Sequence, residues 1–210
     1  MIHIKKGKIP KALIEYKIAK NSLYQDFPEK DSLRQSLLKE QHNLCAYCMG
    51  KISENTMKIE HFKCQSTYPE LQLDYNNMLG CCTGNEGKPH NQQTCDTFKG
   101  NLELLFSPAN ITDFQKMGLY YTDDGSIYST NQAFNEQLNT VLNLNSNTLK
   151  NNRKDILDAV KYKLDSKPNL RSKEELEKFI RNYKDSPSPY YGIAIYYLEK
   201  KLAKRKSLLP

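Results

Sequence analysis

The sequence contains no tryptophan, and none of its apolar runs is long enough to cross a bilayer. The first seven residues, Met-Ile-His-Ile-Lys-Lys-Gly, lack the apolar stretch of a secretory signal. We therefore expect a cytoplasmic protein that does not bind membranes. Because the cytoplasm is reducing, six cysteines indicate metal or redox roles rather than disulfides.

The chain also lacks a Gly-x-x-x-x-Gly-Lys motif and internal repeats, so any use of ATP must come from a partner. Its 210 residues suffice for one or two domains, and 14 tyrosines and 7 phenylalanines supply most of the large apolar surface. The net charge of +7 suits a polyanion such as nucleic acid, but equally a solvated lysine-rich surface. Residues 1–30 form a basic leader with these lysines: Lys5, Lys6, Lys8, Lys11, Lys17 and Lys20.

Local patterns predict a mixed chain. Residues 32–43 read as a helix capped by Asp31, residues 57–62 alternate as a strand, and residues 83–94 read as a polar loop. The Asp124-Gly125 pair predicts a hairpin over residues 118–129.

From residue 132 onward the pattern is helical. Asn147 is a candidate cap, Ser172 and Glu175 fit a capping box, and a last helix follows Pro189. This half carries no visible chemistry, so we expect it to contact a partner. Its tyrosines serve either as interface anchors or as core; they are Tyr190, Tyr191, Tyr196 and Tyr197.

The cysteines suggest a metal cage. Cys45-Ala-Tyr-Cys48 is a Cys-x-x-Cys pair, which alone fits a metal site or a redox pair. No βαβ pattern accompanies it, and later cysteines favour four thiolates around a structural Zn²⁺. Cys95 supplies one of the remaining ligands, while spacing alone does not choose between Cys81 and Cys82. Cys64 is more consistent with a packed thiol.

Glu60 and His61 lie between the two halves of this cage. Neighbouring strand residues point to opposite faces, so serving one site would require a bend or bulge after them. Taken alone, the pair would be read as a surface glutamate and a capping histidine.

The combined motifs resemble the HNH endonucleases. The likeness is strongest over residues 44–101 and is closest to the HNH proteins of Septu-type and retron-associated anti-phage defence, which act beside an ATPase. It rests on these segments: Cys45-x-x-Cys48, Ile59-Glu60-His61-Phe62, Asn77-Met78-Leu79, Cys95-Asp96-Thr97-Phe98-Lys99-Gly100 and Leu142-Asn143-Leu144-Asn145.

This resemblance implies a role for each matching residue. His61 corresponds to the general base, and Asn77 to the asparagine that braces the loop and orients the histidine. Asn77 also selects Cys82 over Cys81 by the family's spacing. Glu60 and Asp96 correspond to ligands of a catalytic Mg²⁺ or Mn²⁺, although the family usually has Asn or His where Asp96 stands.

The resemblance also implies that Lys99 and Lys63 contact nucleic acid. His90, in the inserted loop, is read as a solvated residue, with a spare ligand or substrate contact as the alternative. The expected fold is α+β. A treble-clef ββα-metal core at residues 44–110 would follow a basic segment and helix at 1–43 and precede a hairpin and helical partner-binding region at 111–210.

The expected activity is hydrolysis of nucleic-acid phosphodiester bonds in anti-phage defence, together with an ATPase subunit. DNA is favoured over RNA as the substrate. Two alternatives stay open: an RNase that cleaves tRNA with the same site, and a non-catalytic zinc module that binds nucleic acid or protein.

Overall fold

The computed structural model describes residues 1–19, 21–166 and 172–206; Lys20 of the basic leader lies outside them. The described chain is α+β, with helices around two small two-stranded sheets. In chain order its helices and strands are α1 Lys11–Ile18, α2 Lys30–Glu40, β1 Met57–His61, β2 Met78–Cys82, α3 Cys95–Lys99, α4 Ile111–Met117, β3 Leu119–Tyr121, β4 Ile127–Ser129, α5 Gln132–Thr140, α6 Asn147–Ser166, α7 Lys173–Asp185 and α8 Tyr191–Lys206.

Helix α2 forms because its leucines recur on one face and are buried. The prediction that Asp31 caps it is wrong, because the helix begins at Lys30 and Glu29 occupies the cap position. Asp31 lies in the first turn and pairs with Arg34 at 2.7 Å. The helix also ends before residue 43, since His42 and Asn43 adopt positive φ, which a helix excludes.

The first sheet pairs β1 with β2 antiparallel, with Glu60 opposite Leu79 and His61 opposite Met78. The second sheet is the predicted hairpin of β3 and β4. Gly125 in its turn has φ of +82°, and a Cβ there would lie 2.1 Å from the Lys150 carbonyl oxygen. Only glycine fits that position, which explains the Asp-Gly signal.

The predicted helices of the C-terminal half are present. Asn147 is the first residue of α6 rather than the residue before it. Ser172 caps α7 by accepting a hydrogen bond from the Glu175 amide. Of the four tyrosines, Tyr191 is buried and the others are half-buried, so they contribute to packing within the chain.

The main buried core draws residues from all three predicted segments, including Leu37, Met78 and Leu157. A smaller cluster joins α6, α7 and α8 through Val160, Ile180 and Leu198. The division at residues 43 and 110 stays a prediction. Among the described helices, none combines the length and the apolar character that crossing a membrane requires.

Candidate active site and metal centre

Four cysteines converge at one point of the fold. The Sγ atoms of Cys45, Cys48, Cys82 and Cys95 all lie within 4.8 Å of one another, and they can hold a metal ion. The Cys48 and Cys82 sulfurs are 3.8 Å apart. Tetrahedral zinc with Zn–S bonds of about 2.3 Å requires sulfurs about 3.8 Å apart, so the donor set and its spacing fit zinc.

Backbone turns aim these sulfurs at each other. The Cys45 amide donates to the Gly50 carbonyl at 2.8 Å, and the Gly50 amide donates to the Cys48 sulfur at 3.3 Å. Cys82 ends β2 and Cys95 begins α3. The loop between them closes tightly at Gly84, where a Cβ would lie 2.1 Å from the Thr94 carbonyl oxygen.

Cys81 does not belong to this group, although it is fully buried. Its thiol does contact that of Cys45, but it lies outside the set of four sulfurs that are all close to one another. The structure brings in Cys82, the cysteine that the family spacing selects.

The four thiols cannot all ionise easily without a cation. Burial opposes ionisation of Cys45, yet hydrogen bonds from the neighbouring cysteines hold its pKa well below the usual range. The same contacts, with burial, raise the pKa of Cys48 and Cys95 well above theirs. A divalent cation would relieve the repulsion between several thiolates.

A second group lies beside the cage. Glu60, His61 and Asp96 line one open cavity of about 540 Å³. β1 keeps a continuous register with β2 through His61, so the strand contains no bulge at this pair. The chain bends instead at Phe62 and Lys63, directly after the strand, which is the bend that the sequence analysis required. His61 is the last residue of β1, and the cavity forms where the chain leaves the sheet. Asp96 enters from α3, next to the cage ligand Cys95.

Glu60 is buried among polar groups. Its Oε1 accepts a hydrogen bond from the Tyr47 hydroxyl at 3.0 Å and lies 3.0 Å from the Lys99 ammonium. Burial raises the pKa of Glu60 well above its usual range, a hydrogen bond and charge from Asp96 raise it further, and Lys99 partly offsets both. The two carboxyl groups are thus direct neighbours at the cavity.

The structure differs from the sequence analysis at Lys99. Its side chain is fully buried, with 0% exposure, and is paired with Glu60. A phosphate outside the protein cannot reach this ammonium in the observed geometry. Lys63 is better placed: it is one-third exposed, pairs with Glu103, and lies 5.1 Å from the Tyr68 ring centroid.

His61 is held in a defined orientation. Its Nε2 lies 2.9 Å from the Gln72 carbonyl oxygen, and its Nδ1 lies 3.2 Å from the side-chain nitrogen of Gln65. A carbonyl only accepts hydrogen bonds, so Nε2 carries the proton and Nδ1 keeps its lone pair. Burial lowers the pKa of His61, opposed by the Gln72 bond and the Asp96 charge, which favours the neutral ring.

Asn77 braces the loop that follows His61. Its side-chain nitrogen donates to the carbonyls of Lys63 and Leu71, and its oxygen accepts from the Lys63 amide at 2.8 Å. Leu71 adjoins Gln72, whose carbonyl fixes His61. Asn77 therefore acts on the histidine through the loop backbone.

Sequence reasoning missed several groups at this site. Tyr47 lies between Cys45 and Cys48, but nothing in its local pattern identifies it as a hydrogen-bond donor to Glu60. Lys58 lines the cavity 3.9 Å from an Asp96 oxygen, and only the alternation of β1 indicated its direction.

Two residues considered in the sequence analysis lie nearby. Cys64 is buried, with its sulfur 3.2 Å from the Thr67 hydroxyl. His90 is exposed and stacks on Phe98, with ring centroids 4.4 Å apart.

Comparison with known proteins gives one informative similarity. No protein-family profile matches the chain. The chain is 32% identical over 97 residues to Septu protein PtuB of Bacillus thuringiensis. The match covers 42% of this chain and 37% of that relative, so the chain spans little more than a third of the relative's length. This similarity supports a relation to Septu proteins, the branch that the motifs indicate.

Proposed function

We propose that the protein is a metal-dependent endonuclease of the HNH type, with a treble-clef core closed by structural zinc. The observation that supports this most strongly is the shared cavity of Glu60, His61 and Asp96. It combines two neighbouring carboxyl groups with an imidazole of fixed orientation. A pure binding module has no need of this combination, which disfavours the non-catalytic alternative.

The carboxyl groups fit a hard divalent cation. Mg²⁺ and Mn²⁺ prefer oxygen ligands, and a cation between Glu60 and Asp96 would offset the burial and the neighbouring Asp96 carboxyl group that raise the pKa of Glu60. When bound there, such an ion would stabilise negative charge on the phosphate and on the leaving oxygen. Asp96, with its side chain 14% exposed, and Glu60 are the residues that would hold it.

The remaining chemistry belongs to His61. Its Nε2 is held by the Gln72 carbonyl, and its Nδ1 accepts a hydrogen bond from the side chain of Gln65, a residue that lines the cavity. The attacking water would take the place of Gln65, and Nδ1 would then accept its proton. Asn77 keeps the loop that carries Gln72 in place. Tyr47 and Lys99 fix the carboxyl group of Glu60 from behind. Preorganisation of this kind lowers the barrier because little reorientation accompanies the reaction.

The biological setting follows from the relative. Its similarity to Septu protein PtuB supports a role for this protein in anti-phage defence. We propose that an ATPase subunit of the same system controls the nuclease, since the chain has no nucleotide-binding motif of its own. DNA is the favoured substrate; cleavage of RNA or tRNA is the alternative, because backbone phosphates are common to both.

The test is cleavage of plasmid DNA and of total RNA by the protein with and without its ATPase, in Mg²⁺, Mn²⁺ or EDTA. General-base catalysis is worth about 10² to 10⁴ in rate, so His61→Ala should slow cleavage by that factor and keep its bound zinc. His90→Ala is the matched control, because this histidine is exposed and outside the cavity. Equal cleavage by the parent and His61→Ala proteins would refute the assignment.

A further inference from the structure

A second cavity, of about 300 Å³, lies among the β3–β4 turn, α6 and α8. It shares no lining residue with the cavity of Glu60, His61 and Asp96. Its floor is apolar, formed by the buried side chains of Leu157 and Ile193. We call it the lysine pocket, after its charged lining residues: Lys161, Lys200, Lys201 and Lys204.

The lysine pocket carries strong positive charge. Asp123 is the acidic residue among those that line it in the described chain. Its carboxylate lies 3.1 Å from the Lys161 ammonium, but its side chain is 84% exposed, so water screens the pair. The ammonium groups of Lys200 and Lys201 add to that of Lys161, and together they create a local field that favours an anion.

The helix dipole explains only part of this arrangement. Cations are favoured in the last turn of a helix, which accounts for Lys204 near the end of α8 at Lys206. Lys200 and Lys201 lie more than a turn earlier. Lys161 comes from α6, a separate helix, so its approach to the same cavity depends on the tertiary fold.

Two tyrosines lie beneath the ammonium groups. The Lys161 and Lys201 nitrogens lie 5.7 Å and 5.3 Å from the ring centroid of Tyr197. The Lys200 nitrogen lies 5.9 Å from the centroid of Tyr196. Both rings are half-buried. The pocket thus interleaves cations with aromatic surface.

We propose that the lysine pocket binds the phosphodiester backbone of a single-stranded stretch of nucleic acid, with a base or sugar against Tyr196 or Tyr197. This proposal deepens the nuclease function and rests on it for its biological meaning: the pocket would hold substrate at a second point. Single-strand binding sites combine such charge with aromatic surfaces on which bases stack.

An acidic peptide is the competing ligand, and the composition of the pocket disfavours it. A carboxylate-rich segment would use the positive charge of the lysines but gain little from two ring surfaces over an apolar floor. Nucleotides use both, because each carries a charged phosphate and a flat apolar base. Lysine also suits this role because its three rotatable donors contact phosphate without a fixed geometry.

The test measures binding of fluorescent 20-nucleotide DNA and RNA strands by anisotropy, in EDTA so that no cleavage occurs. The triple variant Lys161→Gln, Lys200→Gln, Lys201→Gln should bind at least about tenfold more weakly at low salt. Each phosphate contact on a single strand contributes about 0.7 to the slope of log K against log salt. Loss of three contacts should therefore reduce the magnitude of that slope by about 2. Comparison of the DNA and RNA strands shows which nucleic acid the pocket prefers.

The matched control removes the same charge elsewhere. Lys11, Lys116 and Lys178 are exposed and line none of the cavities described above, so their triple glutamine variant should bind within about twofold of the parent. Circular dichroism and zinc content must agree across the variants. Equal losses in both triple variants would overturn the proposal, since binding would then follow net charge alone.

Asp123→Asn gives a test of opposite sign that misfolding cannot imitate. Removing the carboxylate of the pocket should strengthen binding of the strands by about two- to threefold at low salt. Unchanged or weaker binding would count against the proposal. Binding of polyglutamate would also count against it if the parent bound polyglutamate, the pocket variant did not, and both bound the strands equally. The ligand of the pocket would then be an acidic protein segment.

The two proposals fail separately. If the nucleic-acid strands bind in EDTA through the lysine pocket but are not cleaved in Mg²⁺ or Mn²⁺, the binding proposal would be supported and the nuclease proposal refuted. Cleavage that depends on His61, with strand binding unaffected by the pocket variant, would uphold the nuclease and refute the pocket.

Discussion

The buried pair of Lys99 and Glu60 should make Lys99→Met strongly destabilising. The two charged atoms are 3.0 Å apart, and the side chains are 0% and 5% exposed. Removing one partner of such a pair leaves an uncompensated charge, which costs about 3 to 5 kcal/mol. For a chain of this size that corresponds to a fall in Tm of roughly 6 to 20 °C.

A double-mutant cycle identifies the source of this loss. Glu60→Gln keeps an acceptor for the Tyr47 hydroxyl, which donates to the same carboxyl group. If the cost of Lys99→Met is the unpaired charge, then Lys99→Met combined with Glu60→Gln should destabilise by less than the sum of the two single variants. The difference should be at least about 1 kcal/mol, as measured by urea unfolding.

The same variant makes a prediction about pH. Burial and Asp96 already raise the pKa of Glu60, and Lys99 offsets them, so Lys99→Met should raise it further. A carboxyl group with a raised pKa in the folded state contributes stability below its unfolded value, and that stability is lost as pH rises through the folded value. Lys99→Met should therefore be less destabilising at pH 5 than at pH 7.5.

A small loss of stability would refute this reasoning. A loss below about 1 kcal/mol at pH 7.5 is the range of an exposed ion pair. It would mean that Lys99 is accessible, as the sequence analysis expected, and that it is free to contact phosphate. Lys154→Met is a suitable control, because that lysine pairs with Asp158 on the surface.

Further predictions concern the cage and the base. Cys48→Ser should lose bound zinc and most of the folded signal, whereas Cys81→Ala should keep its zinc, as measured by metal analysis and circular dichroism. Because burial lowers the pKa of His61, cleavage should stay high as pH falls and become half-maximal below pH 6.5; a midpoint above 6.5 would contradict this environment. Asn77→Ala removes the bonds that brace the loop and should cost about 1 to 3 kcal/mol in stability, with a lower cleavage rate at saturating substrate.

Local rules were enough wherever one short segment decides the outcome. The Asp124-Gly125 turn, the Ser172 cap and the buried face of α2 each depend on residues a few positions apart, and each is present. The misplaced cap at Asp31 shows the limit of such rules: the position of a helix end is uncertain by one or two residues when only the local sequence is considered.

The cage required more than spacing. Four cysteines predicted a metal site, but the choice of Cys82 came from the family resemblance, and the set of four mutually close sulfurs agrees with that choice. The contacts of Glu60 could not be predicted from the sequence. Tyr47, Asp96 and Lys99 are 13, 36 and 39 positions away along the sequence, and no periodicity links residues that meet only through the fold.

Helix α3 connects the four-cysteine cage to the cavity lined by Glu60, His61 and Asp96. Within five residues it carries the cage ligand Cys95, the cavity carboxylate Asp96 and the buried ammonium Lys99. So short a helix is unstable by itself, and the sulfur cluster fixes its first residue. The metal that holds Cys95 would therefore also set the distance from Asp96 and Lys99 to Glu60 on β1. The four-cysteine cage and the cavity of Glu60, His61 and Asp96 share this one turn of helix, so we predict that replacing a cage cysteine also disorganises the cavity.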